Sequence, residues 1–438
     1  MNGMGIMTLL DIAPAPAAGS RLDGLPIAIV GAGPIGLAAA AHLAERGLDF
    51  VVYERGGTVA DAVSGWGHTR LFSPWEHLVD DAARRLLEAG GWTMPPAGVA
   101  PTGAELVRDY LAPLAAHPAI APHIRTGVEV AAVTREGMDR TRTRGRAQAP
   151  FALRLNGADG AEERSARAVL DASGTWVNPG RLGSHGLDPL GADAVAERLV
   201  APLPDVLGAD RARFAGRHTT VVGAGHSAAN TLIALATLAQ LEPGTRATWL
   251  IRNARAARVT TADDELEGRG QLGSRLDRLV ATGRIEVVDS FEIARLEPLG
   301  DGVRVHGRRG DGMDSHDTDL LVNATGFRPD LDMLRELRLG LDEIVEAPRR
   351  LAPLIDPNVH SCGTVEPHGY RELAHPEPGF FIVGMKSYGR APTFLLKTGY
   401  EQVRSVVAWL AGDAESAGRV ELVLPATGVC STTDGCCA

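Results

Sequence analysis

Four apolar residues, Ile27 to Val30, run into Gly31-Ala-Gly33-Pro34-Ile35-Gly36 and on into the alanine-rich Leu37 to Ala41. That order constrains the fold more than any other feature of the chain. A buried strand has to turn tightly into a helix, and each glycine answers a separate need. Gly31 permits the turn, Gly33 lets a phosphate approach the backbone, and Gly36 packs helix against strand. The helix start, Pro34 and Ile35 included, then offers unpaired N–H groups and a positive dipole end to an anion. Phe50 to Glu54 supplies a second strand ending in a carboxylate, placed for the hydroxyls of a ribose diol, with Arg55 beside it. Strand, glycines, helix, strand and terminal acid predict a dinucleotide-binding βαβ unit.

The pattern returns in mid-chain. Thr219-Thr-Val-Val-Gly223-Ala-Gly225-His226-Ser227-Ala228 leads into an apolar helix, with Ala228 in the third glycine's place. The strand that follows, Ala247 to Ile251, ends in Arg252 where the first unit has its acid. A guanidinium there favours the 2′-phosphate of NADPH over the bare diol of NADH, with Arg255 and Arg258 close by. Two further phrases match each other, Asp171-Ala-Ser-Gly174-Thr-Trp and Asn323-Ala-Thr-Gly326-Phe-Arg. Both read as a buried strand entering a small-residue turn beside a cofactor, and as the two crossings between domains. Near the end, Gly379 to Val383 is a strand that meets the turn Gly384-Met385, and a helix follows from about Thr398 to Ala411.

These elements give an α/β fold of two Rossmann-like domains, the second inserted in the first. The expected division is a flexible leader at 1–25, with Met4 or Met7 as alternative starts. A first domain follows at 26–185 and 320–412, a second at 186–319, and a flexible cysteine-containing tail at 413–438. The net charge of −10 argues against a nucleic-acid surface. The one arginine cluster, Arg140, Arg142, Arg144 and Arg146, reads as a solvated loop between two strands. No run approaches the roughly eighteen apolar residues of a membrane helix, and the opening lacks the basic start of a signal peptide. Four cysteines, three of them in the last nine residues, form no disulfide framework and fit a reducing cytoplasm.

From about Pro26 to Gly412 the chain resembles the flavoproteins with two dinucleotide-binding domains: flavin-containing monooxygenases, Baeyer–Villiger monooxygenases and disulfide reductases. The resemblance implies FAD on the first unit and NADPH on the second. Gly31, Gly33, Gly36 and Glu54 match its FAD motif, and Gly223, Gly225, Ser227 and Arg252 its NADPH motif. Trp66, Arg70, Gly174, Gly326, Gly384 and Met385 are further cofactor contacts on this reading. Disulfide reductases carry a cysteine pair near the flavin, whereas Cys362 is the one cysteine here outside the tail. The monooxygenase branch is therefore favoured, although its Phe-x-Gly-x-x-x-His tag is missing, with Phe214-Ala-Gly216-Arg-His218 a near miss. Where the animal-type enzymes place an Asn over the flavin, the loop Ser64 to Pro74 has none. His68, Arg70 and Ser73 are its polar candidates, as catalytic or as structural groups. Trp66 to Trp75, Pro367 to Pro376 and Gly384 to Thr393 look most like the flavin monooxygenases associated with bacterial arsenic-resistance operons.

Cys430, Cys436 and Cys437 can converge on one soft atom, such as trivalent arsenic or mercury. Zinc fits that spacing less well, and a tail without function is the plain alternative. Cys362 is either a thiol near the flavin or a buried structural cysteine. The leading expectation is an NADPH-consuming FAD monooxygenase that uses O₂ on a soft nucleophile, sulfur or trivalent arsenic. Its rivals are a reductase working through the tail cysteines and a metalloid-binding flavoprotein without catalysis.

Overall fold

In the computed structural model, which describes residues 20–254, 267–356, 367–391 and 394–422, Ile27–Val30 is the middle strand of a five-stranded parallel sheet. The order is Phe380–Ile382, Ala168–Asp171, Ile27–Val30, Phe50–Glu54, Ile124–Thr126. All four residues of the middle strand are buried, as a parallel strand covered on both faces requires. The helix after the turn, Pro34–Glu45, is buried along its length from Ile35 to Leu43. It lies between the sheet and Leu396–Leu410, with which it shares one core. A helix covered on all sides has no use for a polar face, which explains its run of alanines.

The second sheet repeats this plan in the order Glu286–Val288, Arg246–Leu250, His218–Val222, Leu320–Asn323, Leu199–Val200, again all parallel. In both sheets the glycine-bearing strand is central, with two later strands on one side. In both, a three-stranded antiparallel sheet intervenes before the chain returns to the other side. These inserts are Glu129–Arg135, Phe151–Gly157 and Gly160–Ala166 in the first unit. In the second they are Phe291–Leu299, Gly302–Arg309 and Gly312–Thr318. The units differ in the fifth strand. Phe380–Ile382 arrives from the C-terminal side of the chain, whereas Leu199–Val200 precedes its own glycine turn.

Three expectations are corrected. Leu320–Asn323, assigned from sequence to the first domain, pairs with His218–Val222 and belongs to the second sheet. The division at 319/320 therefore falls after Asn323 instead. Both proposed flexible ends begin inside the fold: Leu22 is buried, and Ala414–Gly418 is a helix, capped by Asp413 and tied down by Ser405 Oγ donating to Ala417 O at 2.7 Å. Residues 1–19 and 423–438 lie outside the described residues.

The arginine cluster is not uniformly solvated. Arg140, Arg142 and Arg144 are exposed, but Arg146 is buried beside Arg135, and both guanidinium groups donate to the buried carboxylate of Glu377. A buried carboxylate needs such partners, and this trio pins the first insert to the returning C-terminal segment.

Candidate functional site

The three glycines of the first turn have different surroundings. Gly31 has φ +98°, and a Cβ on it would lie 2.9 Å from Ala172 O. A Cβ on Gly36 would fall 1.9 Å from Gly31 O, so any side chain would wedge helix from strand. Gly33 is the contrast. Its backbone is extended, at φ −80° and ψ −172°, and a Cβ there would meet no atom within 4 Å. The space stands directly before the start of Pro34–Glu45, which has no side-chain cap and no acid in its first turn. That helix end keeps unpaired N–H donors and an uncompensated positive dipole, the chemistry of a phosphate site.

Glu54 closes the turn from the next strand. Its carboxylate accepts from the backbone N–H groups of Ala32 and Gly56, each at 2.7 Å. On the other side, Asp171 Oδ1 accepts from Ser173 N and Oγ, and Lys386 Nζ stands 2.7 Å from Asp171 Oδ2. Both partners of this ion pair are buried. Gly384, at φ +71°, passes so close to Ile35 that a Cβ would lie 2.9 Å from its side chain. Gly384 N donates to Gln402 Oε1 at 2.7 Å. Gly31, Gly33, Ile35, Gly384 and the turn before Gly174 thus gather at the carboxyl end of the first sheet. Met385 is half-buried beside them, and Arg55 points to solvent.

The second turn follows the same plan. Gly223 has φ +125° and a Cβ there would sit 2.1 Å from Ala324 O, whereas a Cβ on Gly225 would meet nothing within 4 Å. His226–Leu241 begins without a side-chain cap or an early acid. Ala228, in the third position, is fully buried. Asn323 Oδ1 accepts from Thr325 N and Oγ1, as Asp171 does from Ser173. Trp249 Nε1 donates to Gly223 O at 2.6 Å and so braces the turn from the following strand, a contact the sequence did not reveal. Arg252 is exposed at the end of that strand, its Nη1 donating to Ser184 O at 3.2 Å. The two crossings run side by side: Gly180 N donates to Gly326 O, and Asn323 Nδ2 to Gly180 O, both at 2.8 Å.

Between the units lies a cavity of about 300 Å³. The loop containing Trp66, Arg70 and Ser73 forms one wall, and His226, Ser227 and Asn230 from the second helix form another. Phe394, Leu395 and Leu396, where the C-terminal helix starts, complete it together with Leu203. The His226 ring rests on Phe72 with centroids 4.9 Å apart. Of the four catalytic candidates, Ser73 and the exposed Arg70 line the cavity; His68 is exposed and is not among the lining residues, and Cys362 lies outside the described residues. Leu203, which no local pattern marks, holds φ +55°, a conformation costly for a leucine and found where surrounding structure enforces it. Cys362, Cys430, Cys436 and Cys437 lie outside the described residues, as do Arg255 and Arg258. Among the described residues no group of histidine, cysteine and acidic side chains could hold a metal, and no helix is long and apolar enough to cross a membrane.

The family model described as FAD dependent oxidoreductase matches residues 26–412. No curated protein matches the sequence. Among solved structures, the chain is similar to the bacillithiol disulfide reductase Bdr (YpdA) from Bacillus cereus, at 18% identity and TM-score 0.65, covering 90% of this chain and 99% of that one. It is similar to a doubly substituted flavin monooxygenase from Stenotrophomonas maltophilia, at 24% identity and TM-score 0.57, covering 88% and 98%. It is also similar to the ornithine N-hydroxylase KtzI from Kutzneria sp. 744, described with reduced FAD, NADP+ and L-ornithine, at 16% identity and TM-score 0.60, covering 89% and 99%. At these identities the likeness is one of fold, shared by oxygenases and reductases alike.

Proposed function

The chain belongs to the FAD dependent oxidoreductase family, and on that premise we propose that it is an NADPH-consuming monooxygenase acting on a soft nucleophile, sulfur or trivalent arsenic. The observation that carries the reading is the pair of matched turns, each with a tightly packed glycine and an open one before an uncapped helix. Two such turns in one chain provide for two pyrophosphates. The first, with Glu54, would hold FAD. The second, with Ser227 and Arg252, would hold NADPH, the guanidinium meeting the 2′-phosphate.

FAD, when bound, would supply the redox chemistry that links NADPH to O₂. The balance is NADPH, H⁺, O₂ and substrate to NADP⁺, water and substrate carrying one more oxygen. The chain's own residues would orient the partners and exclude water. Trp66, Leu71, Phe72 and Leu203 give the cavity a largely apolar wall.

The test is NADPH oxidation in air by the FAD-loaded protein, with oxygenated product and hydrogen peroxide both quantified. One product per NADPH, on a thioether or a trivalent arsenical, is the expected result. If every substrate tried leaves all consumed oxygen as peroxide, the proposal is wrong. Reduction of a disulfide without air, lost in Cys436→Ser, would establish the reductase in its place.

A further inference from the structure

The cavity between the units carries a charge preference, and we propose that it selects a small, largely apolar molecule with an anionic end and rejects cationic amines. This rests on reading the cavity as the substrate end of the proposed enzyme, and it names the class of substrate. Volume comes first. About 300 Å³ is at the lower limit of ligand pockets, which run from roughly 300 to 1,000 Å³. The occupant is therefore small.

Charge comes second. The described lining residues include one charged side chain, Arg70, and no aspartate or glutamate. Arg70 donates to Ala100 O, which leaves most of its five N–H donors for other partners. Its nearest carboxylate, Glu105, is 3.9 Å away, and that group is already engaged in capping Thr102. The helix Leu396–Leu410 begins in the same wall without a side-chain cap or an acid in its first turn. Its dipole adds positive potential of the same sign as Arg70. The remaining wall is mostly apolar, while the Arg70 side chain is itself exposed, so water screens part of its charge. An ammonium group would meet the positive charge of Arg70 and the helix start, with the nearest carboxylate, Glu105, already bonded to Thr102 N. A carboxylate would find a guanidinium fork able to bind it through two hydrogen bonds. The structurally similar ornithine N-hydroxylase is described with L-ornithine, which carries ammonium groups at neutral pH. Among the described lining residues no carboxylate offers such a substrate a counter-charge.

The experiment uses the full-length FAD-loaded protein and three probes of one shape: (phenylthio)acetate, thioanisole and 2-(phenylthio)ethylamine. Binding is read by equilibrium dialysis and by quenching of tryptophan fluorescence, since Trp66 lines the cavity. The carboxylate should bind at least tenfold more tightly than the amine. Arg70→Gln should bring the two within about threefold of each other, and Arg70→Lys should keep the carboxylate preference. Equal or tighter binding of the amine to the wild-type protein overturns the inference, as does no binding of any probe or an undiminished preference in Arg70→Gln. Oxygen transfer is measured separately on the same samples. Selective binding without oxygenated product would sink the monooxygenase reading and leave the charge preference standing; product without selectivity would do the reverse.

Discussion

Alanine at Gly33 and alanine at Gly36 add the same methyl group three residues apart, and the structure assigns them opposite fates. At Gly36 the new Cβ would lie 1.9 Å from Gly31 O. That oxygen cannot retreat, because Gly31 is held at φ +98° with its N–H donating to Tyr53 O at 2.7 Å. Overpacking a rigid contact costs about 1–3 kcal/mol and occasionally more, and an overlap this deep belongs at the upper end. For a unit of this size each kcal/mol lowers Tm by roughly 2–4 °C, so the apoprotein should melt on the order of 10 °C lower. At Gly33 the extended backbone suits alanine and the methyl meets nothing. Lower unfolded-state entropy contributes about 0.4–1 kcal/mol, and the poorer helix cap removes a similar amount. Apoprotein stability should therefore stay within about 1 kcal/mol. The methyl fills the space a pyrophosphate needs, however. FAD at a hundred times its Kd stabilises the wild type by about 2.7 kcal/mol through linkage, and Gly33→Ala should lose that increment and elute colourless. Thermal melts of both apoproteins with and without FAD, with flavin absorbance after gel filtration, decide the matter. A Gly33→Ala protein that binds FAD normally, or a Gly36→Ala apoprotein that melts with the wild type, would refute the reasoning.

Four other outcomes follow from named contacts. Arg252→Gln should lower the preference for NADPH over NADH at least tenfold, measured as the ratio of kcat/KM values, with FAD content unchanged; an unaltered ratio would remove Arg252 from the 2′-phosphate. Burial opposes charge on Glu377, yet hydrogen bonds from Arg146 and Arg135 outweigh it and hold the carboxyl below its ordinary range. Its contribution is therefore present at neutral pH and lost as pH falls through that lowered pKa. Glu377→Gln, which leaves two buried guanidinium groups short of charge, should cost about 3–5 kcal/mol at pH 7 and flatten the acid limb of a denaturation profile. His375 is buried and its pKa is pushed down to about 4 by desolvation, so the unfolded chain binds the extra proton first. Stability should be full above about pH 6.5 and fall by roughly 3 kcal/mol toward pH 4, a slope that His375→Gln removes. Leu203→Gly should melt above Leu203→Ala, because glycine accepts φ +55° and alanine keeps the strain; the opposite order would mean that the strain is absent in solution.

Legibility from sequence followed the range of the physics. The turns at Gly31 and Gly223 are local. Strand, glycine spacing and helix lie within about fifteen residues, so their conformational demands are written in adjacent letters. The paired phrases at Asp171 and Asn323 were visible for the same reason, and their side-by-side course agrees with the crossings they suggested. The cavity was not visible as a whole. Arg70 and Ser73 were found through their loop, but Leu203 and the segment 394–396 reach the same wall from far along the chain. No periodicity reports such a meeting. Arg146 failed similarly: its neighbours in sequence are solvated arginines, while its partner Glu377 is 231 residues away.

A single pair of equivalent residues explains why the repeated units are assembled differently. Asp171 and Asn323 occupy the same place, each accepting from the residue two positions on. Asparagine is neutral and can be buried once its hydrogen bonds are made. A buried aspartate also needs a cation, and the first unit receives one from Lys386, immediately after the Phe380–Ile382 strand. That strand pairs with Ala168–Asp171, and Val383 N donates to Asp171 O, so fifth strand and counter-ion arrive together. The second unit takes its fifth strand from Leu199–Val200, upstream of its own turn. Every strand of its sheet therefore lies between residues 199 and 323, one unbroken stretch of chain. The first unit is open until the chain has run through the second and returned. The insertion is thus written in charge as well as in order: the unit that must wait for the C-terminal segment is the one that buries a carboxylate paired with a lysine from that segment.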